Sequence, residues 1–380
     1  MRIGVVGAGI FGVAATIELQ ARGHTVVVFD QGNVPNPKAS STDVAKTIRR
    51  FYGANGTYVE LVERAASKWQ EWNDLLGHSI YHTVGTYYIV TRFEAGTPIF
   101  DGYQFLQARG ARIEVLSASQ ANARFPQFAY GAGDTGVYDP WGGYLSAEAA
   151  VAGLAQLARD RGAEVREETP VLLVDEDASG VDIVVETGRL RFERVVVATG
   201  VWMSRLVPAV GRHIHITRQQ MVFLEPKDRR QLAIETLPAW AVDPEECGWY
   251  GQPLPERGWV KVANDLPGTV AGPEASREGT ADFAKRAMAF VAERIPALAG
   301  ARVVGGRSCL YDNTPDRHFV IDWRPGSRRV LLAGGGSGHG FKFGAIIGEV
   351  IADALEEEPN QLGDLFRIAS RFGKINQNSR

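Results

Sequence analysis

The first thirty residues leave this chain little freedom over its fold. Ile3-Gly4-Val5-Val6 reads as a short buried strand, Gly7-Ala8-Gly9-Ile10-Phe11-Gly12 as a glycine loop, and the Ala- and Leu-bearing run to Gln20 as a helix. His24 to Phe29 reads as a second strand, closed by Asp30. Strand, loop, helix, strand and terminal acid in one unit form the fingerprint of a Rossmann-like dinucleotide-binding domain. Gly7 allows the tight turn, Gly9 lets backbone approach a pyrophosphate, and Gly12 lets the helix pack close to its strand. Ile10 and Phe11 open that helix, whose free N–H groups and partial positive charge suit phosphates. The carboxylate of Asp30 is placed to accept from a ribose hydroxyl.

That unit alone does not separate FAD from NAD, and Asp30 is a slight pull toward NAD. Two later segments decide. Val195-Val196-Val197-Ala198-Thr199-Gly200 is a buried strand ending in Thr-Gly, and Ala198 and Gly200 are expected to close over the nucleotide. Gly334-Gly335-Gly336-Ser337-Gly338-His339-Gly340-Phe341-Lys342 is a second glycine-rich turn, with Gly335, Gly338 and Gly340 expected at the cofactor. Three separated segments converging on one ligand point to FAD.

With 380 residues and 41.4 kDa the chain can fill two domains with cores of their own. Net charge is −3, with 41 basic and 44 acidic residues interspersed, so no nucleic-acid partner is expected. Cys247 and Cys309 are too few for a disulfide framework and fit a reducing compartment. The strand at the N-terminus leaves no room for a signal peptide, and no apolar run is long enough to span a bilayer. The expectation is a soluble cytoplasmic protein without a membrane partner.

Ala21-Arg22-Gly23, Ala108-Arg109-Gly110 and Asp160-Arg161-Gly162 each end a helix before a strand, at 25–29, 112–116 and 164–166. Thr57-Tyr58-Val59-Glu60 reads as a capping box opening a helix with apolar positions at 58, 61, 62, 65, 69, 72 and 76, so Trp69 and Trp72 read as core. Residues 169–197 read as strands. Residues 208–275 are proline-rich, with strands at 213–224 and 258–263, and a helix at 280–294 stops at Pro296. The fold class is therefore α/β (α+β): a discontinuous FAD-binding domain over 1–85, 145–207 and 300–380. A second, substrate domain on a mostly antiparallel sheet takes 86–144 and 208–299. His213 and His215 alternate along a strand without carboxylate or cysteine company, so no metal site is expected. His339 reads either as a contact to the cofactor edge or as a turn histidine.

Two motifs carry a resemblance: Cys309-Leu310-Tyr311, Thr314-Pro315-Asp316 and Phe319-Val320-Ile321-Asp322, then Gly336-Ser337-Gly338-His339-Gly340-Phe341-Lys342-Phe343. With these the chain resembles, over nearly its whole length, the monomeric sarcosine oxidase family of flavoprotein amine oxidases in the D-amino acid oxidase-like superfamily. The resemblance implies covalent FAD at Cys309, for which a thiolate is the nucleophile. It implies that Arg49 and Lys342 grip a substrate carboxylate, one as a planar fork and the other as a point charge, although a one-residue slip would substitute Arg50. It assigns Lys261 to oxygen activation, as a fixed cation where O2 is reduced. Lys46, with Thr47 beside it, stands where the family more often has an arginine over the flavin ring. Tyr250 and Tyr311 match pocket tyrosines.

Asp265 stands where the sarcosine enzymes place a histidine, and Asp312-Asn313 replace a more usual spacer. These departures leave the substrate open and raise the prospect of one with a second positive charge. N–H groups of the 335–340 turn and of the helix near Phe343 are expected to face the reduced cofactor.

The implied reaction oxidises a secondary α-amino acid, sarcosine or another N-alkyl amino acid, with O2. Its products are H2O2 and an imine that hydrolyses to amine and aldehyde. The implied protein is a monomer acting on a small molecule. Alternatives are an FAD-dependent dehydrogenase with another acceptor, a nicotinamide-dependent dehydrogenase, and a non-catalytic nucleotide-binding module that would not need Arg49, Lys261 and Lys342.

Overall fold

A computed structural model describes residues 1–228, 230, 237–358 and 362–372. The last residues of the expected 300–380 segment, 373–380, lie outside the described residues. A six-stranded sheet runs Val320–Trp323, Val330–Gly334, Arg194–Val197, Arg2–Val6, Thr25–Phe29 and Glu164–Arg166. Every neighbouring pair is parallel except the first, which is an antiparallel hairpin. Its inner strands are near-continuous buried apolar runs, the pattern of a sheet covered on both faces. On one face pack the helices Ile10–Ala21, Gly56–Leu76, Ala147–Asp160 and Gly344–Glu356. On the other lies the antiparallel meander Val171–Asp177, Gly180–Val185 and Gly188–Phe192, whose Val174, Val181 and Ile183 meet Val27, Phe29 and Val197.

The second large sheet has nine strands. It runs from Thr269–Val270 through His215–Glu225, Trp259–Asn264, Trp249–Leu254, Ala239–Val242, Thr86–Val90 and Thr135–Asp139 to Glu114–Ser117. All its pairs are antiparallel except Ala239–Val242 with Thr86–Val90. The ninth strand, Arg302–Asn313, corrects the sequence-based assignment of 300–313 to the nucleotide domain. It pairs with His215–Glu225 from Arg302↔Glu225 to Asn313↔His215. Backbone pairing over that length outweighs the sequence proximity of these residues to the glycine turn at 334–340. Cys309 is thereby carried on the second sheet.

The three helix–glycine–strand punctuations hold, with Gly23, Gly110 and Gly162 all at positive φ. The strand after Gly110 starts two residues later than expected, at Glu114. The capping box at Thr57 does not form. Asn55 caps instead, its side chain accepting from Tyr58 N at 3.3 Å, and the helix begins at Gly56. An asparagine two residues upstream simply starts the helix earlier. Trp69 and Trp72 are core residues, and the indole of Trp69 donates to Lys342 O at 2.7 Å. That bond ties a buried helix to the segment holding a candidate site residue.

Candidate functional site

Two cavities share a wall where the sheets meet. The first, about 390 Å3, is lined by Gly7, Gly9, Ile10, Phe11 and Asp30 of the opening unit and by Ala198, Thr199 and Gly200. Cys309, Tyr311, Gly334, Gly336, Gly338 and Gly340 complete it. Gly12 lies behind it, where a Cβ would overlap Gly7 O, so only glycine lets the helix sit this close to the strand. The carboxylate of Asp30 accepts from Ala8 N at 2.9 Å, Gly32 N at 3.0 Å and Asn36 Nδ2 at 2.9 Å, which fixes it at the cavity edge.

The second cavity, about 610 Å3, is lined by Thr47, Arg49, Tyr52, Tyr88, Trp240, Tyr250, Lys261, Asp265, Arg317, His339 and Lys342. Lys46, Tyr311, Gly338 and Phe341 line both. Gly338 has φ +76, and a Cβ there would strike the Tyr311 ring, so the partition is built on a close backbone approach.

The two cavities lie side by side, one built on the glycine turns and the other on long side chains. The FAD dependent oxidoreductase family (DAO) matches residues 2–354. The chain belongs to that family. It is also similar to an N-methyl-L-tryptophan oxidase of Yersinia pestis (strain Pestoides F), at 27% identity over 363 residues, covering 94% of this chain and 95% of the relative. Among solved structures, the glycine oxidase of Geobacillus kaustophilus superposes with a TM-score of 0.83 at 23% identity, covering 98% of this chain and 100% of that one. The fructosamine oxidase of Aspergillus fumigatus (Amadoriase II), in complex with FSA, gives 0.82 at 23%, covering 100% and 91%.

The first cavity fits FAD on its donor set: a helix N-terminus for the phosphates, the Asp30 carboxylate, and apolar walls from Phe29, Leu172, Val201 and Leu206 for flat rings. Several residues expected at the cofactor sit elsewhere. Thr47 lines only the second cavity, its hydroxyl donating to Gln252 Oε1 at 3.1 Å, and Lys342 likewise lines only the second. Gly335 lines neither, because its N–H is bound by Asp312 Oδ2 at 2.9 Å. The expected row of free N–H groups along 335–340 is a further correction. Gly335, Ser337, His339 and Gly340 all donate within the protein, to Asp312, Asp312 and twice Gly336. A tight turn satisfies its own backbone first. Asp312, whose place in the sequence marked only a departure, is the staple of that turn. Burial pushes its carboxyl up to about 6 against backbone donors that pull it down.

In the second cavity the register of the arginines is resolved by their partners. Arg50 turns away, forming a two-toothed pair with the fully buried Asp139 at 2.8 and 2.9 Å and a contact with Glu63 at 3.2 Å. Arg49 lines the cavity, lies over the Tyr52 ring at 4.8 Å and donates to Phe51 O. Neither Arg49 nor Lys342 has an ion pair with a carboxylate among the described residues. Lys342 Nζ bonds Tyr52 Oη at 3.1 Å and His339 O at 3.2 Å. Burial and then the Arg49 charge hold its ammonium well below the usual lysine range, with Asp265 opposing. Asp265 is in turn held up by burial against Arg49, Arg317 and Lys342. Burial also raises Tyr250 and Tyr311, so both stay neutral hydrogen-bonding groups.

Lys261 is 1% exposed, and its ammonium meets Asp43 Oδ2 at 2.5 Å and Ala45 O at 2.7 Å. Lys46 reaches the same Asp43 oxygen at 3.2 Å and lies 3.6 Å from the Cys309 sulfur. Cys247 is half-buried and bonds Val242 O. His339 bonds Arg317 O through Nε2 and packs among Tyr52, Tyr58, Phe319 and Phe343, as a turn histidine does. His213 stacks on Phe372, and no group of His, Cys, Asp or Glu that could hold a metal occurs among the described residues. No helix among them is long and apolar enough to cross a membrane.

Sequence reasoning missed Asp43, Arg317, Tyr52 and Tyr88. Asp43 left one local trace, its position three residues before Lys46; its partner Lys261 is remote in the chain.

Proposed function

We propose that this flavoprotein oxidises secondary α-amino acids with O2, releasing H2O2 and an imine that water hydrolyses to an amine and an aldehyde. The observation that carries this reading is a pair of cations, half-buried Arg49 and buried Lys342, in a chamber that shares a wall with the FAD cavity. They make no ion pair with a carboxylate among the described residues, Asp265 opposing them only from across the same chamber. Buried charge is costly unless paired, so the pair calls for an anionic ligand, and an amino acid carboxylate supplies one. Bound FAD supplies a two-electron acceptor for the C–H next to the amine and passes those electrons to O2.

The protein's own residues do the rest. Arg49 and Lys342 hold the carboxylate and so aim the amine-bearing carbon at the shared wall. The surrounding cations and the dry, aromatic walls favour the neutral amine over the ammonium, the form from which a hydride equivalent can leave. Tyr250 and Tyr311, both neutral, bound the amine side of the chamber. Lys261 supplies a fixed cation for oxygen reduction. Lys46 stands with its ammonium beside the Cys309 sulfur, a setting that suits covalent attachment of FAD at Cys309. The chamber volume supports substrates bulkier than sarcosine as well as sarcosine itself, in line with the N-methyl-L-tryptophan oxidase relative. This reading includes a substrate domain over 86–144 and 208–299 joined by the strand Arg302–Asn313, a FAD domain over the remainder, and a cytoplasmic monomer.

The test has two parts. Visible absorption is recorded before and after acid precipitation: yellow colour kept in the pellet supports the Cys309 bond, and colour in the supernatant rejects it. Peroxide release is then measured with sarcosine, N-methyl-L-tryptophan and other N-alkyl amino acids. Substrate-dependent bleaching under anaerobiosis without peroxide in air would favour a dehydrogenase.

A further inference from the structure

Asp43 is a fully buried carboxylate in contact with two lysines of the second cavity, Lys261 and Lys46, of which Lys46 also belongs to the shared wall. Its Oδ2 binds Lys261 at 2.5 Å and Lys46 at 3.2 Å, and its Oδ1 accepts from Val44 N at 2.7 Å. Asp43 is 0% exposed and Lys261 1%. An ammonium has three donors, and for Lys261 two are spent on Asp43 and Ala45 O, which fixes its direction and leaves one N–H. We propose that Asp43 is the positioning residue of the oxygen site: it anchors the Lys261 ammonium at the chamber wall and sustains its positive charge there. The inference rests on the oxidase reading and adds to it a residue that touches neither cavity.

The reason is electrostatic. Dry surroundings alone would strip the proton from Lys261, and O2 reduction is helped by a cation only while that cation is charged. O2 takes two electrons and two protons and leaves as H2O2, so negative charge develops first on the oxygen and is met by the ammonium. The groups facing Lys261 are Asp43, which favours its charge, Lys46, which opposes it, Cys309, and the Tyr250 ring at 5.9 Å. Arg307, on the strand Arg302–Asn313, acts on Asp43. Burial is the largest influence and pulls Lys261 below the usual lysine range, with Asp43 offsetting only part of it. Removing Asp43 therefore moves the lysine further down, and removing Lys46 moves it up.

The experiment titrates the holoprotein labelled with 13C at lysine Cε and assigns Lys261 by the signal missing in Lys261→Met. In Asp43→Asn the midpoint of Lys261 is expected to fall by about 1–3 pH units, the usual effect of one close opposite charge. In Lys46→Met it is expected to rise. In parallel, dithionite-reduced holoprotein is mixed with O2 across the same pH range, a measurement that needs no knowledge of the substrate. The alkaline fall of the reoxidation rate is expected to move with each midpoint, and Asp43→Asn to approach the unmodified protein at low pH. Coincident midpoints in all three proteins would overturn the proposal. Should Asp43→Asn not fold, the upward shift in Lys46→Met carries the test alone, and its absence overturns the proposal equally. Midpoints that move while Lys261→Met still reoxidises at the original rate would instead break the oxygen-site reading and reduce the pair to a structural one.

Discussion

The two cavities are walled by different kinds of chemistry. The first is made of backbone: glycine turns, a helix N-terminus and strand ends, with its carboxylates Asp30 and Asp312 each satisfied by N–H groups. The second is made of long side chains from distant segments, and two of its cations, Arg49 and Lys342, make no ion pair with a carboxylate among the described residues. A satisfied wall holds a shape whether or not a ligand is bound, whereas an unsatisfied one acquires its partner from the ligand. The contrast separates residues that build the protein from residues proposed to meet the substrate.

The sharpest way to break this contrast is to damage the backbone wall. Gly12→Ala would drive a methyl into Gly7 O, and loss of FAD content together with a fall in stability of more than about 3 kcal/mol is expected by absorption and denaturant titration. Retained FAD at full stability would show that the helix can retreat from its strand.

Adjacent arginines sharpen it further. Arg50→Ala strands the buried Asp139 carboxylate and is expected to cost about 3–5 kcal/mol of stability. Arg49→Ala is expected to leave stability nearly unchanged while lowering kcat/KM by about 30- to 1000-fold, the equivalent of about 2–4 kcal/mol at 1.4 kcal/mol per decade. Equal stability losses in the two variants would erase the distinction. The Lys342 environment adds a pH dependence. Its ammonium is held down in the empty chamber and a bound carboxylate raises it, so substrate binding takes up a proton and KM is expected to rise with pH on the alkaline side.

Asp312 tests the backbone wall more gently. Its folded-state pKa, about 6, lies above the ordinary 3.8, so between these values the unfolded chain loses its proton first and stability falls as pH rises. Asp312→Asn is expected to flatten that fall, which is on the order of 2–3 kcal/mol for a shift of this size. Unfolding curves at pH 4 to 7 in both proteins measure it. The smallest effect is that of a helix cap: Asn55→Ala removes the bond to Tyr58 N at a cost of about 1 kcal/mol of stability, read by denaturant titration.

The same contrast explains what was legible beforehand. The glycine loop, the Val195–Gly200 strand and the turn at 334–340 are local patterns with a conformational reason, and they line the first cavity as expected. Lys46, Arg49, Tyr250, Lys261, Asp265 and Lys342, placed by resemblance, do gather at the second. Thr47 and Gly335 were misplaced because neither resemblance nor spacing tells which way a side chain or N–H points. The strand Arg302–Asn313 was put in the wrong sheet, since pairing with His215–Glu225 leaves no mark in either segment alone.

The sequence by itself determined the cofactor fold. Buried valine strands, glycines at positions that tolerate no Cβ and a helix opening on phosphates are consequences of residue type and short spacing. Only the tertiary structure decided the charges. Whether Arg49 or Arg50 faces the chamber, and whether Lys261 stands alone or against Asp43, depends on partners far away in the chain, and charge interactions act through space, not along the sequence.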